Sequence, residues 1–414
     1  MIVDDVRARR GLGLGSEEFR FDGEQAEKYA REIAFPRKVG TEGESKVARL
    51  ITGFLKDLGY QVREERFSIL IPPWIWMKGM LLLAMILLVI PWLTLEKRPM
   101  LALLCAVGLM FWIVGRDKLW IRLGRWVVSD DPGGWGESKN ILAEFPEDNA
   151  GRPFFLMAHY DSKSQLISLY ARTLLFLLGC FSSGGFASWV MIAVLRQWLG
   201  GESISASWLA HGCFFLSLGL NLFFVFTTMG NDSEGGIDNA SGVGVVLELA
   251  RGMRRDNPRG VKPIFVFTGA EELGLLGSLM IRKKHGHEMA QARAFVMNID
   301  SVGQANRVRA CSSGRAGKRW LEDLLRLAQE KGLRLRSLPF LKGILMDHLP
   351  FGSLGIPSIS LTSVLKEGWY LHTARDRSSL IRKEGLEAMG NSVWAAIQSL
   401  EGREGQRERR ASPG

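Results

Sequence analysis

Residues 265–277 read Phe-Val-Phe-Thr-Gly-Ala-Glu-Glu-Leu-Gly-Leu-Leu-Gly and place two adjacent carboxylates where a strand gives way to a helix. The apolar run that ends at Thr268 predicts a buried strand, and Gly269 ends it. Glu271 and Glu272 then lie at the carboxyl end of that strand, where open α/β sheets bind ligands. One carboxylate can bind a metal while its neighbour reaches a bound water, as metal-assisted hydrolysis requires. The alternative is a helix N-terminus that simply favours glutamates.

The chain from Gly235 onward alternates predicted helices with predicted strands. The predicted helices are 241–254, 273–284, 319–331 and 384–400, and the predicted strands are 264–268, 294–299 and 357–362. Before them, the patterns predict a helix at 47–58 and strands at 60–69, 140–145 and 153–158. This alternation predicts an α/β fold with a mostly parallel mixed sheet and helices on both faces.

Four long apolar stretches interrupt this pattern, at residues 79–95, 99–115, 173–195 and 208–229. Each is about long enough to span a bilayer, and tryptophans flank the first pair. Both pairs must leave and return to one domain, so each predicts an even number of crossings. We therefore predict four transmembrane helices in two inserted hairpins. A buried hairpin of a soluble protein, or a re-entrant second pair, are the alternatives.

The segments between the hairpins define the predicted domain organisation. The α/β domain is assembled from residues 24–72, 127–165 and 231–401. A first hairpin with an interfacial helix occupies 73–126, and a second hairpin occupies 166–230. A flexible leader at 1–23 and a charged, disordered tail at 402–414 complete the prediction.

The composition is consistent with a chain that lies partly in lipid. Hydrophobic residues make up 47% and charged residues 23%, with a net charge of +10. The positive charge falls beside the apolar stretches and in the tail, so lipid headgroups explain it without nucleic acid. Three of the four cysteines lie in the apolar stretches, which makes a disulfide framework improbable.

Imidazoles and carboxylates recur at the ends of predicted strands and in turns. They are His159, Asp161, Asp238, Glu271, Glu272, Asp300 and His372. A mixed set of this kind suits zinc, and its excess of carboxylates suits two ions that share a bridging ligand. Each residue alone also has an ordinary structural interpretation, as a packed histidine, a turn residue, a helix cap or a surface loop residue.

The sequence around these residues resembles the M28 family of zinc peptidases, the aminopeptidase and glutamate carboxypeptidase group. The motifs are His-Tyr-Asp-Ser at 159–162, Gly-Ile-Asp-Asn-Ala-Ser-Gly at 236–242, Gly-Ala-Glu-Glu-Leu-Gly at 269–274, Asn-Ile-Asp at 298–300, Asp-His-Leu-Pro-Phe at 347–351 and His-Thr at 372–373. The resemblance covers residues 24–400 without the apolar stretches, although Met346 stands where a serine is common.

This resemblance implies a role for each candidate residue. His159 and Asp300 would hold one zinc, Glu272 and His372 the other, and Asp238 would bridge the two Zn²⁺ ions. Glu271 would be the general base, and Asp161 would orient the His159 imidazole. It also implies a cis peptide bond after Asp238.

The leading functional hypothesis is an integral membrane zinc metallo-exopeptidase, an aminopeptidase that hydrolyses peptide or protein substrates. A one-zinc glutaminyl cyclase is the second hypothesis, and His159 with the Glu271–Glu272 pair argues against it. A non-catalytic receptor is the third, although no ligand position is lost. The partners are the substrate and the lipid bilayer, and the sequence leaves the oligomeric state undetermined.

The catalytic domain is expected to face the cytoplasm. Lys and Arg flank the apolar stretches mainly on the side of the domain, at 78, 116, 118, 122, 125, 163 and 172, whereas only Lys97, Arg98 and Arg196 lie at the opposite ends. Loops rich in Lys and Arg stay on the cytoplasmic side of a membrane, so this asymmetry predicts that the domain lies on that side. The first 24 residues also contain no apolar core of a secretory signal.

Overall fold

A computed structural model describes residues 20–147, 151–201, 207–256, 258, 260–304, 307–339 and 344–411. For residues 399 and 401–411 it describes the backbone alone. Most of the predicted leader, residues 1–19, lies outside the described part. Described structure begins just before helix α1, Gly23–Ile33, whose N-terminus is capped by the Asp22 carboxylate.

A sheet of nine strands forms the centre of the described α/β domain. The strands are β1 Gln61–Ile69, β2 Val128–Ser129, β3 Gly136–Glu144, β4 Gly151–His159, β5 Gly260–Thr268, β6 Phe295–Ile299, β7 Val308–Ser313, β8 Leu335–Ser337 and β9 Ser358–Thr362. Their order is β2-β1-β3-β5-β4-β6-β9-β7-β8. The four central strands, β5, β4, β6 and β9, are parallel, which brings their carboxyl ends to one edge.

The α/β fold is confirmed, but strand pairing is more evenly divided than the predicted mostly parallel sheet. β1 pairs antiparallel with β2 and β3, β3 pairs antiparallel with β5, and β7 pairs antiparallel with β9. The sequence prediction missed β2, β7 and β8. These are short or interrupted by polar residues such as Arg309, so they lack a periodic apolar signal.

Helices cover both faces of the sheet, as predicted. The helices of the domain are α1, α2 Glu42–Asp57, α7 Ser241–Arg255, α8 Leu276–Gln291, α9 Gly314–Glu330 and α10 Lys383–Ala411. Phe154, Leu156 and Ala158 of β4 point into one hydrophobic cluster, whereas Phe155 and Met157 point into another on the opposite face. This alternation follows from the two-residue period of a strand.

Several helix boundaries differ from the sequence prediction, and α2 and α9 each begin five residues earlier than predicted, at Glu42 and Gly314. Helix α8 begins at Leu276 and not at Leu273, because Ala270 and Leu275 adopt positive φ angles of 57° and 65° in the preceding loop. Helix α10 continues to Ala411, where the sequence predicts a disordered tail from residue 402. Glu, Arg and Gln dominate this extension, and these residues have favourable helix propensities.

The four apolar stretches form helices α3 Pro73–Thr94, α4 Pro99–Gly124, α5 Leu169–Trp198 and α6 Trp208–Phe226. Each is long and apolar enough to cross a membrane, with mean hydropathy between 1.7 and 2.0 over its most apolar window. They pack as a bundle around a cluster that includes Leu88, Leu109, Phe186 and Phe214. Many of their other large apolar side chains face outward, as lipid contact would require.

Candidate metal centre and active site

The predicted site residues converge at the carboxyl edge of the parallel strands. His159 is the last residue of β4, Asp300 follows β6, and Glu271 and Glu272 lie on the loop after β5. Asp238 lies in the turn Gly236–Ala240 that leads into α7, and His372 follows the 3₁₀ turn Lys366–Trp369 after β9. All six side chains are buried. The strands therefore bring together residues that lie more than two hundred positions apart.

The six residues contain two groups that could each hold a metal ion, and the groups share Asp238. In the first, His159 Nε2 lies 3.1 Å from Asp238 Oδ1 and 3.7 Å from Asp300 Oδ1. In the second, His372 Nε2 lies 3.0 Å from Asp238 Oδ2 and 3.4 Å from Glu272 Oε2. Because the two oxygens of Asp238 face different histidines, this carboxylate can bridge two ions.

The donor set fits zinc, which binds imidazole nitrogen and carboxylate oxygen in small coordination shells. One carboxylate oxygen of the second group, Glu272 Oε1, also lacks a hydrogen-bond partner within the described structure although it is buried. A buried carboxylate oxygen without a partner is costly, and a cation would remove that cost. The residues present therefore suit a pair of metal ions.

The electrostatics of the two adjacent glutamates differ. Burial raises the pKa of Glu271 well above its usual range, and the neighbouring carboxylates of Glu272, Asp347 and Asp300 reinforce the effect against His159. Burial also acts to raise the pKa of Glu272, but the charges of Lys163 and His372 outweigh it and hold that pKa at about 2. Glu271 is thus suited to accept a proton, and Glu272 to remain an anionic ligand.

Glu271 lies beside both groups without belonging to either. Its Oε2 is 3.9 Å from His159 Nε2, and its side chain lines the cavity that opens onto the metal centre. A carboxylate in that position can take a proton from a water held between the groups.

Asp161 acts on the loop of the two glutamates more directly than on His159. Its carboxylate oxygens accept hydrogen bonds from the backbone amides of Glu271 and Glu272, both at 3.1 Å. Its Oδ1 lies 3.6 Å from His159 Nδ1, whereas its backbone carbonyl oxygen lies 3.2 Å from the same nitrogen. The Asp161 carboxylate therefore binds the loop of the two glutamates more strongly than it binds the His159 imidazole, which it was predicted to orient.

Asp376 holds the turn of Asp238 in a similar way. Its two carboxylate oxygens accept the backbone amides of Ile237 at 2.7 Å and Asp238 at 3.1 Å. The Asp238–Asn239 peptide bond in this turn is cis, as the resemblance implies. The Asn239 side chain then bonds to the Ile299 carbonyl and the Ser301 amide, which tie the turn to the loop of Asp300.

Two buried cations near the site escaped the sequence analysis. Lys163 Nζ lies 2.7 Å from Glu272 Oε2. Arg37 is fully buried, and its guanidinium donates to the carbonyls of Tyr160 and Gly235, at 2.5 and 2.8 Å. Burial lowers the pKa of Arg37 to about 10, although Asp376 and Asp161 oppose the shift. Lys163 directly follows the His-Tyr-Asp-Ser motif and could have been suspected, whereas Arg37 lies in no motif.

Both apolar hairpins contact the loops of the site. Trp120 of α4 donates its indole N–H to the Gly274 carbonyl at 2.9 Å, two residues beyond Glu272. On the other hairpin, the Gln165 amide donates to the His372 carbonyl at 2.6 Å, and the Leu169 amide donates to the Leu371 carbonyl at 3.2 Å. The helices therefore adjoin the loops that carry Glu271, Glu272 and His372.

Comparison with known proteins gives a family for the second half of the chain. The profile of peptidase family M28 matches residues 217–397, so a peptidase M28 domain is present there. This range contains Asp238, Glu271, Glu272, Asp300 and His372, whereas His159 and Asp161 precede it. The match does not address membrane insertion.

Two curated proteins are similar over parts of their length. Aminopeptidase YwaD of Bacillus subtilis (strain 168) is 33% identical over 175 residues, which cover 40% of this chain and 37% of that protein. A protein named putative endoplasmic reticulum metallopeptidase 1-B, from Caenorhabditis elegans, is 29% identical over 177 residues, which cover 41% of this chain and 19% of that protein. The chain therefore spans well under half the length of these relatives.

Solved structures share the fold at low sequence identity. A zinc aminopeptidase from Bacillus subtilis is 17% identical, with a TM-score of 0.53, over 92% of this chain and 96% of its own. A glutaminyl cyclase from an Acidobacteriales bacterium is 16% identical, with a TM-score of 0.54, over 94% of this chain and 99% of its own. The shared fold supports the α/β assignment but does not distinguish these activities.

Proposed function

We propose that the protein is a membrane-embedded zinc metallopeptidase, and within that class an aminopeptidase. The observation that carries the proposal is the carboxylate of Asp238, whose two oxygens each face a different histidine within about 3 Å. His159 and Asp300 would hold one Zn²⁺, and Glu272 and His372 the other. The M28 domain at residues 217–397, which contains all of these ligands except His159, supports the metallopeptidase proposal.

The two ions would lower the pKa of a shared water and polarise the substrate carbonyl. The residues of the chain account for the remaining steps. Glu271, whose pKa burial raises, accepts the proton of the attacking water and returns it to the leaving amine. Asp161 keeps the backbone of Glu271 and Glu272 in place through its two amide hydrogen bonds, so the base and its neighbouring ligand hold their separate directions.

Glutaminyl cyclase is the second candidate, because proteins of that name share the fold. A cyclase with one zinc would need only one of the two groups of ligands. The presence of both groups, together with a carboxylate shared between them, favours the peptidase. A receptor without metal is disfavoured for the same reason.

The substitution Glu271→Gln tests the assigned base. An amide cannot accept the proton, so turnover of aminoacyl and peptidyl fluorogenic substrates should fall by roughly a hundredfold or more, while zinc content stays unchanged. Glu288→Gln, an exposed glutamate on α8, is the matched control and should behave like the wild type. Chelator-sensitive activity near the wild-type level in Glu271→Gln would show that the base is misassigned.

We also propose that the catalytic domain faces the cytoplasm. Basic residues at the domain ends of the apolar helices, including Lys78, Arg122 and Arg125, support this orientation. Separate fusions of alkaline phosphatase and of a fluorescent protein to the C-terminus in a bacterial host would test it. A bright fluorescent fusion with an inactive phosphatase is expected, and the reverse would place the domain outside.

A further inference from the structure

One cavity joins the metal centre to the interior of the four-helix bundle. Its volume is about 1070 Å³, and its wall includes Asp238, Glu271 and His372 at one end. At the other end the wall is formed by side chains from all four helices, among them Ala84, Trp112, Cys180 and Leu220. A volume of this size exceeds what a single amino-acid side chain requires.

The bundle part of the cavity extends along α5 towards a packed cluster of apolar residues. Its lining on α5 runs from Leu169 to Ser183, which is about 14 residues or ~21 Å at the helical rise of 1.5 Å per residue. Beyond Ser183, the side chains of Leu88, Phe186 and Val190 are fully buried against one another and form the end of the cavity. A linear hydrocarbon advances about 1.25 Å per bond, from a C–C length near 1.5 Å and a tetrahedral angle, so about 16 carbons fill this depth.

Charge separates the two ends of the cavity. Lys163, Arg116 and Arg172 line it near the domain, and Arg172 lies in the first turn of α5, where it donates to Gln165 at 2.9 Å. Arg116 lies 3.5 Å from the centre of the Phe176 ring and pairs with Asp117. The deeper wall is formed by apolar side chains such as Met80, Leu81 and Leu109. The cavity thus offers a polar mouth at the metal centre, lined by both basic and acidic side chains, and an apolar end in the bundle.

We propose that the substrate is an amphiphilic amide that carries a long linear apolar chain on the carbonyl side of the scissile bond. The chain lies between helices α3–α6 while the amide reaches the metal centre. This inference rests on the proposed function and specifies its substrate class. Water adds to the carbonyl carbon, the C–N bond breaks, and the amine leaves with the proton that Glu271 returns. The long-chain carboxylate that forms lies next to the cations at the mouth.

Two sources could supply such a chain. It could be the side chain of an N-terminal residue with a free amine, or an acyl group attached to the nitrogen of a peptide. Both place the apolar chain on the carbonyl side, and two series of fluorogenic amides distinguish them. One series contains 2-aminoalkanoyl amides, the other contains alkanoyl amides without the amine, and each runs from 4 to about 16 carbons, the length estimated from the cavity depth.

For protein in nanodiscs, kcat/KM should rise as the chain becomes longer in at least one of the two series. A buried CH₂ group corresponds to about a fourfold gain, so several steps produce a large rise before the cavity is filled. Long chains also partition into the bilayer, and that contribution would raise the rate without any cavity. The comparison must therefore be made between variants in the same nanodiscs.

Ala84→Phe is the variant that narrows the cavity, and Leu83→Phe is its matched control. Ala84 lines the cavity, whereas its neighbour Leu83 is 43% exposed on the outside of the same helix. Gly179→Leu narrows the cavity from another helix, where an added Cβ meets Leu220 at an ordinary 3.7 Å. Both narrowing variants should lose at least tenfold in kcat/KM for the longest chains and keep the wild-type rate on the shortest, which also shows that they fold.

Binding gives a readout that does not depend on catalysis. Palmitic acid brominated near its end should quench tryptophan fluorescence through Trp112 in the cavity wall. Quenching should fall in Ala84→Phe and in Trp112→Phe, and remain at the wild-type level in Leu83→Phe. The inference would be overturned by equal quenching in all four proteins.

The outcomes separate this inference from the proposed function. If the shortest amides are cleaved in a chelator-sensitive way but chain length has the same effect in every variant, the peptidase proposal stands and the inference fails. If only the series without the amine shows chain-length dependence that the narrowing variants abolish, the inference holds and the aminopeptidase assignment fails. If quencher binds in the cavity without chain-dependent cleavage, the cavity holds a resident lipid tail and the substrate assignment is wrong.

Discussion

Helix α7 of the α/β domain and helix α3 of the bundle are both rich in apolar residues, yet they bury them to different extents. Val243, Val245, Leu247 and Leu249 are among the many buried residues of α7. Only 17% of the most apolar window of α3 is buried, although its mean hydropathy is 2.0. Water penalises exposed apolar surface, so the outer face of α3 is better suited to lipid, which agrees with the membrane-embedded peptidase that we propose.

The two regions also differ in how they use polar groups. The α/β domain buries charged side chains completely and gives each a specific partner, as Arg37, Asp161 and Asp376 illustrate. Between α5 and α6 the polar contact that stands out is an uncharged hydroxyl pair, Ser183 with Ser217. Buried charge positions the ligands, whereas apolar packing holds the bundle. This difference predicts that single substitutions act most strongly in the domain and at its junction with the bundle.

Arg37→Met should have the largest effect on stability. The substitution leaves the carbonyls of Tyr160 and Gly235 without their donor and removes the cation that faces Asp376 and Asp161. Loss of one partner from a buried charged cluster costs about 3–5 kcal/mol. Thermal unfolding in nanodiscs should show a much lower midpoint. Arg375→Met, at an exposed position of the same region, is the control, and equal midpoints for the two variants would contradict the account.

Trp120→Phe should have a smaller effect, confined to the junction. It removes the hydrogen bond from the indole to the Gly274 carbonyl, which is worth about 0.5–1.5 kcal/mol. Because Gly274 follows the two glutamates, kcat should fall by a factor of about two to ten while zinc content is kept. Trp126→Phe, which changes a tryptophan that is 68% exposed, is the matched control. If both variants keep wild-type kcat, the hairpin does not influence the loop.

Much of this comparison could be predicted from the sequence, because the two regions follow different patterns. The apolar stretches identified α3–α6, and motifs around His159, Asp238, Glu271 and Asp300 identified residues that the sheet does bring together. Such motifs are local, and the parallel strands that end in them have a strong apolar signal.

The remainder depends on contacts between distant residues, which a single sequence does not reveal. Arg37 and Lys163 are ordinary basic residues until the fold buries them against Tyr160 and Glu272. The late start of α8 depends on a loop that Asp161 holds from another strand. The cavity shared by the metal centre and the bundle arises only when both hairpins pack beside the site. The predicted domain boundaries and the roles of the individual ligands stay predictions.

The number of zinc ions per chain tests the central claim that Asp238 is shared between two metal groups. Elemental analysis of the purified wild-type protein in nanodiscs should give two zinc ions per chain, together with chelator-sensitive amide hydrolysis. Asp238→Ala should lose most of this zinc and all activity, whereas Asp57→Ala, at an exposed helix end, should keep both. One zinc per chain in fully active wild-type protein, or two in Asp238→Ala, would contradict the account.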